Sequence, residues 1–494
     1  MQISKENYVH LEGGKFARQQ YTKTDLENLF RTFRNHANKD LLVVHFHGGL
    51  VSFKKGLEVS ARLKQQCYAP AGAYPVFFLW ESHPWETVMN YLSQIFRESM
   101  FQALRWDILR FAVSREKQPP DQRGQRLKLL SDSDVREELD LIEQKRVPYA
   151  KIDERRVDYT AILSKEQKQQ LKELIYKDFH LKNEVKDIVE ELFPLSKREA
   201  LLRSSTATFM SDNILSVARQ KAPLEMEETL FERITAGGIT VIERVLKRHQ
   251  EGRYHGLRAT VVEEMLREFS MGNAEMLIWE RMKKDISDSF KLNGNEVSKK
   301  YGGTAFLEEL KNGWEDRHKP RIVLVGHSAG AIYICRWLEA VEKLQLPDEI
   351  NFDVIFLAPA CDFDLFSNTL RYYRKRIKNF RMFGMEDKHE RKDQIFWEMY
   401  PRSLLYFVCG ALEFEADQPL VGMERFYSRQ WPFDPNFDEN LKEIFDYLDT
   451  DSNKIVWAKE DRGDGLKSHS TKHGDFDDDL TTLESIKHIL QHGY

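Results

Sequence analysis

Ten residues, Arg321 to Gly330, constrain this chain more than any other stretch. They run Arg-Ile-Val-Leu-Val-Gly-His-Ser-Ala-Gly. Ile322 to Val325 are four consecutive apolar residues, a run that predicts a strand buried on both faces, as in a parallel sheet. Beyond Gly330, the residues Ala331, Ile334, Cys335, Leu338 and Val341 recur at the spacing of a helix with an apolar face. Strand and helix are therefore joined by Gly326-His327-Ser328-Ala329-Gly330 alone. So tight a turn crowds the positions on either side of the serine, and glycine is the residue that fits there. The predicted helix points its free N–H groups and positive dipole end at Ser328, where they would stabilise negative charge developing on a substrate oxygen.

Composition sets the surroundings of this stretch. The chain has 494 residues, 41% hydrophobic and 31% charged, enough for a large core beneath a solvated, helix-rich surface. A net charge of −5 carries no basic excess, so nucleic acid is not an expected partner. Cys67, Cys335, Cys361 and Cys409 are far apart and match no metal-ligand spacing. Reduced thiols in a cytoplasmic protein are the expectation. The N-terminus shows no apolar signal-peptide core, and no run of 18 apolar residues predicts a transmembrane helix.

In chain order, residues 8 to 21 alternate around Gly13-Gly14, a hairpin signal. Leu41 to Phe46 is the first buried strand and runs into His47-Gly48-Gly49. Glycines directly after a buried strand let backbone N–H groups approach a substrate oxygen closely. Ala73 to Trp80 is a further strand, and Trp85 to Val113 reads as a long amphipathic helical stretch, with a lid or a membrane-touching surface as the lesser reading. From residue 116 to 300 the chain becomes charged and helical, without a buried strand run, and reads as an inserted cap or interaction region. Strands return with the Arg321 segment, then Val354 to Pro359, Phe380 to Gly384 and Ile455 to Ala458. Alternating strands and helices predict an α/β fold, a mainly parallel sheet with helices on both faces, plus the large inserted α-helical region. Three segments follow: 1–115, the first part of the core; 116–300, the insertion; and 301–494, the second part of the core.

With these motifs in place, the chain resembles the α/β-hydrolase superfamily of serine esterases and lipases. Gly326-His327-Ser328-Ala329-Gly330 matches its nucleophile elbow, His47-Gly48-Gly49 its oxyanion loop, and a late carboxylate and histidine its chain order. The likeness covers residues 40–115 and 300–494. His47 and Ser328 are 281 positions apart (328 − 47), a gap far longer than the family's usual one. The resemblance implies Ser328 as nucleophile, His473 as base and Asp387, after the penultimate strand, as acid. It also implies an oxyanion hole from the N–H groups of Ala329 and of Gly49 or Gly48.

His469 is the alternative base, and Glu386, Asp393 and Asp362 are alternative acids. His45 and His47 alternate on a strand but have no further Cys or His cluster, so neither metal nor cofactor is expected. The run Asp475, Asp477, Asp478 and Asp479 suits a helix N-terminus, and His327 is read as a packing residue. The expected activity is cleavage of a carboxylic ester, acyl or lipid-like, through an acyl-enzyme; amide, peptide and thioester cleavage use the same constellation. An expectation of another class makes the insertion the functional surface, binding a protein partner or a second copy of the chain.

Overall fold

A computed structural model describes residues 3–49, 51–81, 85–119, 122, 124–145, 162–192, 209–210, 215–216, 221–271, 277–292, 301–315, 318–396 and 399–494. Parts of the expected insertion, residues 146–161 and 193–208 among them, lie outside this set.

The sheet is built where the apolar runs predict it. Its strands are β1 (Tyr8–Glu12), β2 (Lys15–Phe16), β3 (Leu41–Phe46), β4 (Tyr74–Glu81), β5 (Arg321–His327), β6 (Phe352–Leu357), β7 (Ile377–Met385) and β8 (Ile455–Ala458). They lie in the order β2-β1-β4-β3-β5-β6-β7-β8, parallel throughout except for the β1–β2 hairpin. Gly13 (φ 55°) and Gly14 (φ 76°) close that hairpin in the left-handed conformation such turns require. The fold is thus α/β with a mostly parallel sheet.

Successive residues of each strand serve opposite faces. Leu42, Val44, Ile322, Leu324, Val354 and Phe356 belong to one core. Val43, Val323, Val325, Ile355 and Leu357 belong to a second, covered by the Phe53–Leu63 and Leu480–His492 helices. The inserted helices are continuous with the first core: Leu171, Ile175, Ile234, Val241, Ile242, Met265 and Phe269 are all buried in it. Ile234, Val241, Ile242 and Val245 alone contribute roughly 6–12 kcal/mol by area burial. The Pro223–Gln250 helix that carries them is therefore part of the body of the protein. Among the described residues the insertion contributes no sheet strand.

One element differs from its sequence reading. The amphipathic stretch after Trp85 is two helices, Trp85–Arg97 and Ser99–Glu116. Glu98 between them is extended, and its carboxylate accepts a hydrogen bond from Phe209 N–H at 3.2 Å. The break thus depends on a residue 111 positions away in sequence. No helix among the described residues is long and apolar enough to cross a membrane.

Candidate active site

β3 is flanked by β4 on one side and β5 on the other, so the direction of strand succession reverses between β3 and β5. Ligands of open parallel sheets bind outside the carboxyl ends of strands at such a point. Gly48 and Gly49 follow β3 there, and Ser328 follows β5.

The turn at Ser328 depends on both of its glycines. A Cβ on Gly326 would lie 2.7 Å from the carbonyl carbon and oxygen of Gly330, and one on Gly330 would lie 2.2 Å from the Phe46 carbonyl oxygen. Ser328 itself has φ 53°, a conformation costly for any residue with a Cβ. Its backbone is held from two sides: its N–H donates to Leu357 O (2.9 Å) and its carbonyl accepts from Ala360 N–H (3.0 Å). The Gly330–Lys343 helix starts immediately afterwards.

His473 sits in a short helical turn reached from β8 through the β9–β10 hairpin, which pairs Glu460–Asp461 with Lys467–Ser468. Its Nε2 is 2.9 Å from Ser328 Oγ. Both side chains are nearly enclosed, at 5% and 7% exposure. Burial, reinforced by the nearby His327, pushes the His473 pKa down to about 3. The ring is therefore neutral near pH 7 and able to take a proton. His469 lies apart and exposed, its N–H bound to Asp479 Oδ2 at 2.9 Å.

The Gly48–Gly49 loop packs on the Ser328 turn. A Cβ on Gly48 would be 3.3 Å from Ser328 Cβ, and one on Gly49 would be 3.1 Å from Ala329 Cβ. His47 fixes the loop's orientation. Its Nε2 accepts from Trp80 N–H (3.3 Å) and its Nδ1 donates to Gly48 O (2.5 Å), a pattern that needs the neutral Nδ1–H tautomer. Burial favours that neutral form, lowering the pKa to about 4. Because a trans peptide directs C=O and N–H oppositely, turning Gly48 O toward His47 turns Gly49 N–H away from it. Among the described residues neither Gly49 N–H nor Ala329 N–H is taken by an acceptor. The Met282 thioether, from the inserted Ile278–Asp288 helix, covers Gly49, with Sδ 2.2 Å from where a Cβ would stand.

The carboxylates fall in different places. Asp387 follows β7 and is buried; its Oδ1 accepts from Tyr406 OH (2.5 Å), and Arg391 Nε lies 3.0 Å from Oδ2 without a straight hydrogen bond. Asp393 Oδ2 accepts the His473 backbone N–H at 2.8 Å. Glu386 pairs with Lys388, and Asp362 caps the Phe363–Tyr373 helix through Leu365 N–H. None of the four is hydrogen-bonded to His473 Nδ1, which is buried without a partner. The structure thus brings Ser328, His473 and the Gly48–Gly49 loop together, and leaves Asp387 bound to Tyr406 and Arg391.

Two residues outside the expected set belong to the site. His327 Nε2 donates to the His473 carbonyl at 3.0 Å, and its Nδ1 lies 3.5 Å from Asp477 Oδ2. Their only sequence signal was adjacency, one residue before Ser328 and four after His473.

Elsewhere, His255, Cys409 and Asp417 form a buried group of metal-ligating types. Asp417 Oδ1 already receives Arg425 Nη1 (2.6 Å) and His255 Nε2 (2.8 Å), and burial holds the Cys409 thiol protonated, so protein donors fill the place of an ion.

Comparison with family models, curated proteins and solved structures finds no match.

Proposed function

We propose that this chain is a serine hydrolase of the α/β-hydrolase type, cleaving a carboxylic ester through an acyl-enzyme. The observation that carries the reading is the 2.9 Å contact between Ser328 Oγ and the buried, neutral His473 Nε2, on a turn that both flanking glycines are needed to form. The elbow after β5, the loop after β3, and a carboxylate and a histidine after β7 and β8 add the chain order of that family.

In this reading His473 takes the Ser328 proton as Oγ attacks the ester carbonyl. The tetrahedral oxyanion is met by the N–H groups of Ala329 and Gly49, each donor typically worth about 3–4 kcal/mol of barrier. The intermediate collapses, the C–O bond to the alcohol breaks, and His473 gives its proton to the leaving oxygen. Water, deprotonated by His473, then releases the acid and restores Ser328. Asp387 is the acid of this reading, and the structure holds its carboxylate on Tyr406 and Arg391 rather than on Nδ1.

The test is labelling by a fluorophosphonate probe, followed by an ester panel of graded acyl length. Wild type is expected to label and Ser328→Ala to lose labelling completely. An intact protein that does not react defeats the esterase reading. Replacing Asp387 by Asn is expected to lower kcat/KM on the order of 10³-fold, and Asp393→Asn far less. The reverse ranking moves the acid to Asp393.

A further inference from the structure

His473 is gripped at three points. Its ring meets Ser328, its N–H meets Asp393, and its carbonyl meets His327. Two of these partners are consecutive residues of the same turn. The dipeptide His327-Ser328 thus holds one residue, 145 positions further on, by both its side chain and its main chain.

The chemistry of the His327 contacts fixes its protonation. A carbonyl only accepts, so Nε2 carries a hydrogen; the carboxylate facing Nδ1 favours a hydrogen there as well. Burial works against the resulting charge, but Asp477 outweighs it and the His327 pKa is raised. The same contact holds the Asp477 carboxyl below its ordinary value despite burial. Asp477 leaves the acidic run to do this: it is 7% exposed, and Arg62 Nη2 reaches its Oδ1 at 3.4 Å. The ionisable groups around His327 are Asp477, Asp478 and His473 on its C-terminal side and His45 and His47 at the end of β3, with Arg62 behind the aspartates.

We propose that Asp477 and His327 form a positioning couple for the base, a buried ion pair that fixes the His473 main chain to the nucleophile elbow. The couple touches no substrate. It sets the Ser328–His473 distance from the elbow side, independently of the carboxylate that serves Nδ1. When protonated, His327 also places a cation with its ring centre 5.6 Å from that of the base. This inference rests on the reading of Ser328 and His473 as nucleophile and base.

The test compares wild type, His327→Gln, His327→Leu and Asp477→Asn. The readouts are the second-order rate of fluorophosphonate labelling between pH 2.5 and 9, a range that spans the His473 acid limb, and thermal unfolding. Gln keeps a donor to the His473 carbonyl but loses the charge. It should label within a few-fold of wild type above pH 7, with its acid limb moved to higher pH, because removing a cation beside His473 eases protonation of the base. Leu loses the anchor and should label about 10- to 100-fold more slowly, as misplacement of a catalytic group by about 1 Å does. Asp477→Asn should also slow labelling. If wild type does not label, the reading of Ser328 fails and this inference with it. If wild type labels while the three variants keep its rate and its acid limb, only the couple is overturned. Should the Leu variant fail to fold, the limb shift in Gln and the rate of Asp477→Asn decide alone.

Discussion

At the scale of single residues, His473 carries the sharpest expectation. Its burial lowers its pKa to about 3, so if it serves as the proposed base, which must be neutral, esterase activity should persist well below pH 6.5, the ordinary histidine range. A pH profile of kcat/KM with its acid limb near 6.5 would contradict this environment. Replacing His473 by Ala should abolish labelling, whereas His469→Ala should leave it near wild type; parallel rates measured on both variants check the assignment. Ser328 was readable as a candidate because it lies between two glycines in the turn after a buried strand, and His473 because it follows the last sheet strand and precedes Gly474 and the closing helix. The couple of Asp477 and His327 was not. Asp477 looked like one of four acidic residues at a helix start, and of those only Asp479 caps the closing helix, through Thr482 N–H. Which aspartate turns inward depends on Arg62 and His327, both distant in sequence.

At the scale of elements, the elbow and the loop opposite it are sharply different places to add a methyl group. Gly330 faces the Phe46 carbonyl, a backbone atom of β3 that cannot yield. Gly330→Ala should therefore destabilise the protein by several kcal/mol, seen as a lowered denaturation midpoint. Gly49 faces the end of a methionine side chain as well as Ala329 Cβ. Gly49→Ala should leave thermal stability within about 1 kcal/mol of wild type and slow ester turnover, because the loop's fit to the elbow is disturbed. Strand positions were readable from their apolar runs, and the hairpin from Gly13-Gly14. The division of the Trp85–Val113 stretch was not, since the helix period continues across Glu98, while Glu98 is extended and bound to the distant Phe209 N–H.

At the scale of the whole molecule, the sequence division into core, insertion and core describes the chain better than the packing. The inserted helices share the buried core of one sheet face, and their charge runs are the outer sides of helices whose inner sides are apolar. Composition could report the charge but not the shared core. Within it, Asp107 of the Ser99–Glu116 helix is buried, and its pKa is pushed up to about 8, first by desolvation and then by Asp178. A carboxyl raised above its unfolded value near 3.8 stabilises least as pH rises towards 8. Asp107→Asn should thus match wild type near pH 4 and exceed it by about 2–4 kcal/mol at pH 7, measured by urea unfolding at both values. The buried neutral imidazoles have the opposite sign. His45 and His473 near 3 and His47 near 4 bind protons more readily when unfolded, so stability should fall as pH drops below 6.5.

The adjacency of β3 and β5 also has a history in time. Arg321 comes 275 positions after Phe46 (321 − 46), and β3 has only β4 to pair with until that stretch has been made. At a synthesis rate of about 5–20 residues per second, roughly 14–55 s pass with one edge of an apolar strand uncovered. An open apolar edge invites pairing with another chain. The nascent protein is therefore most exposed to misassociation while its inserted helices are being produced. The site that joins Gly49 to Ser328 cannot exist at all until that interval has ended.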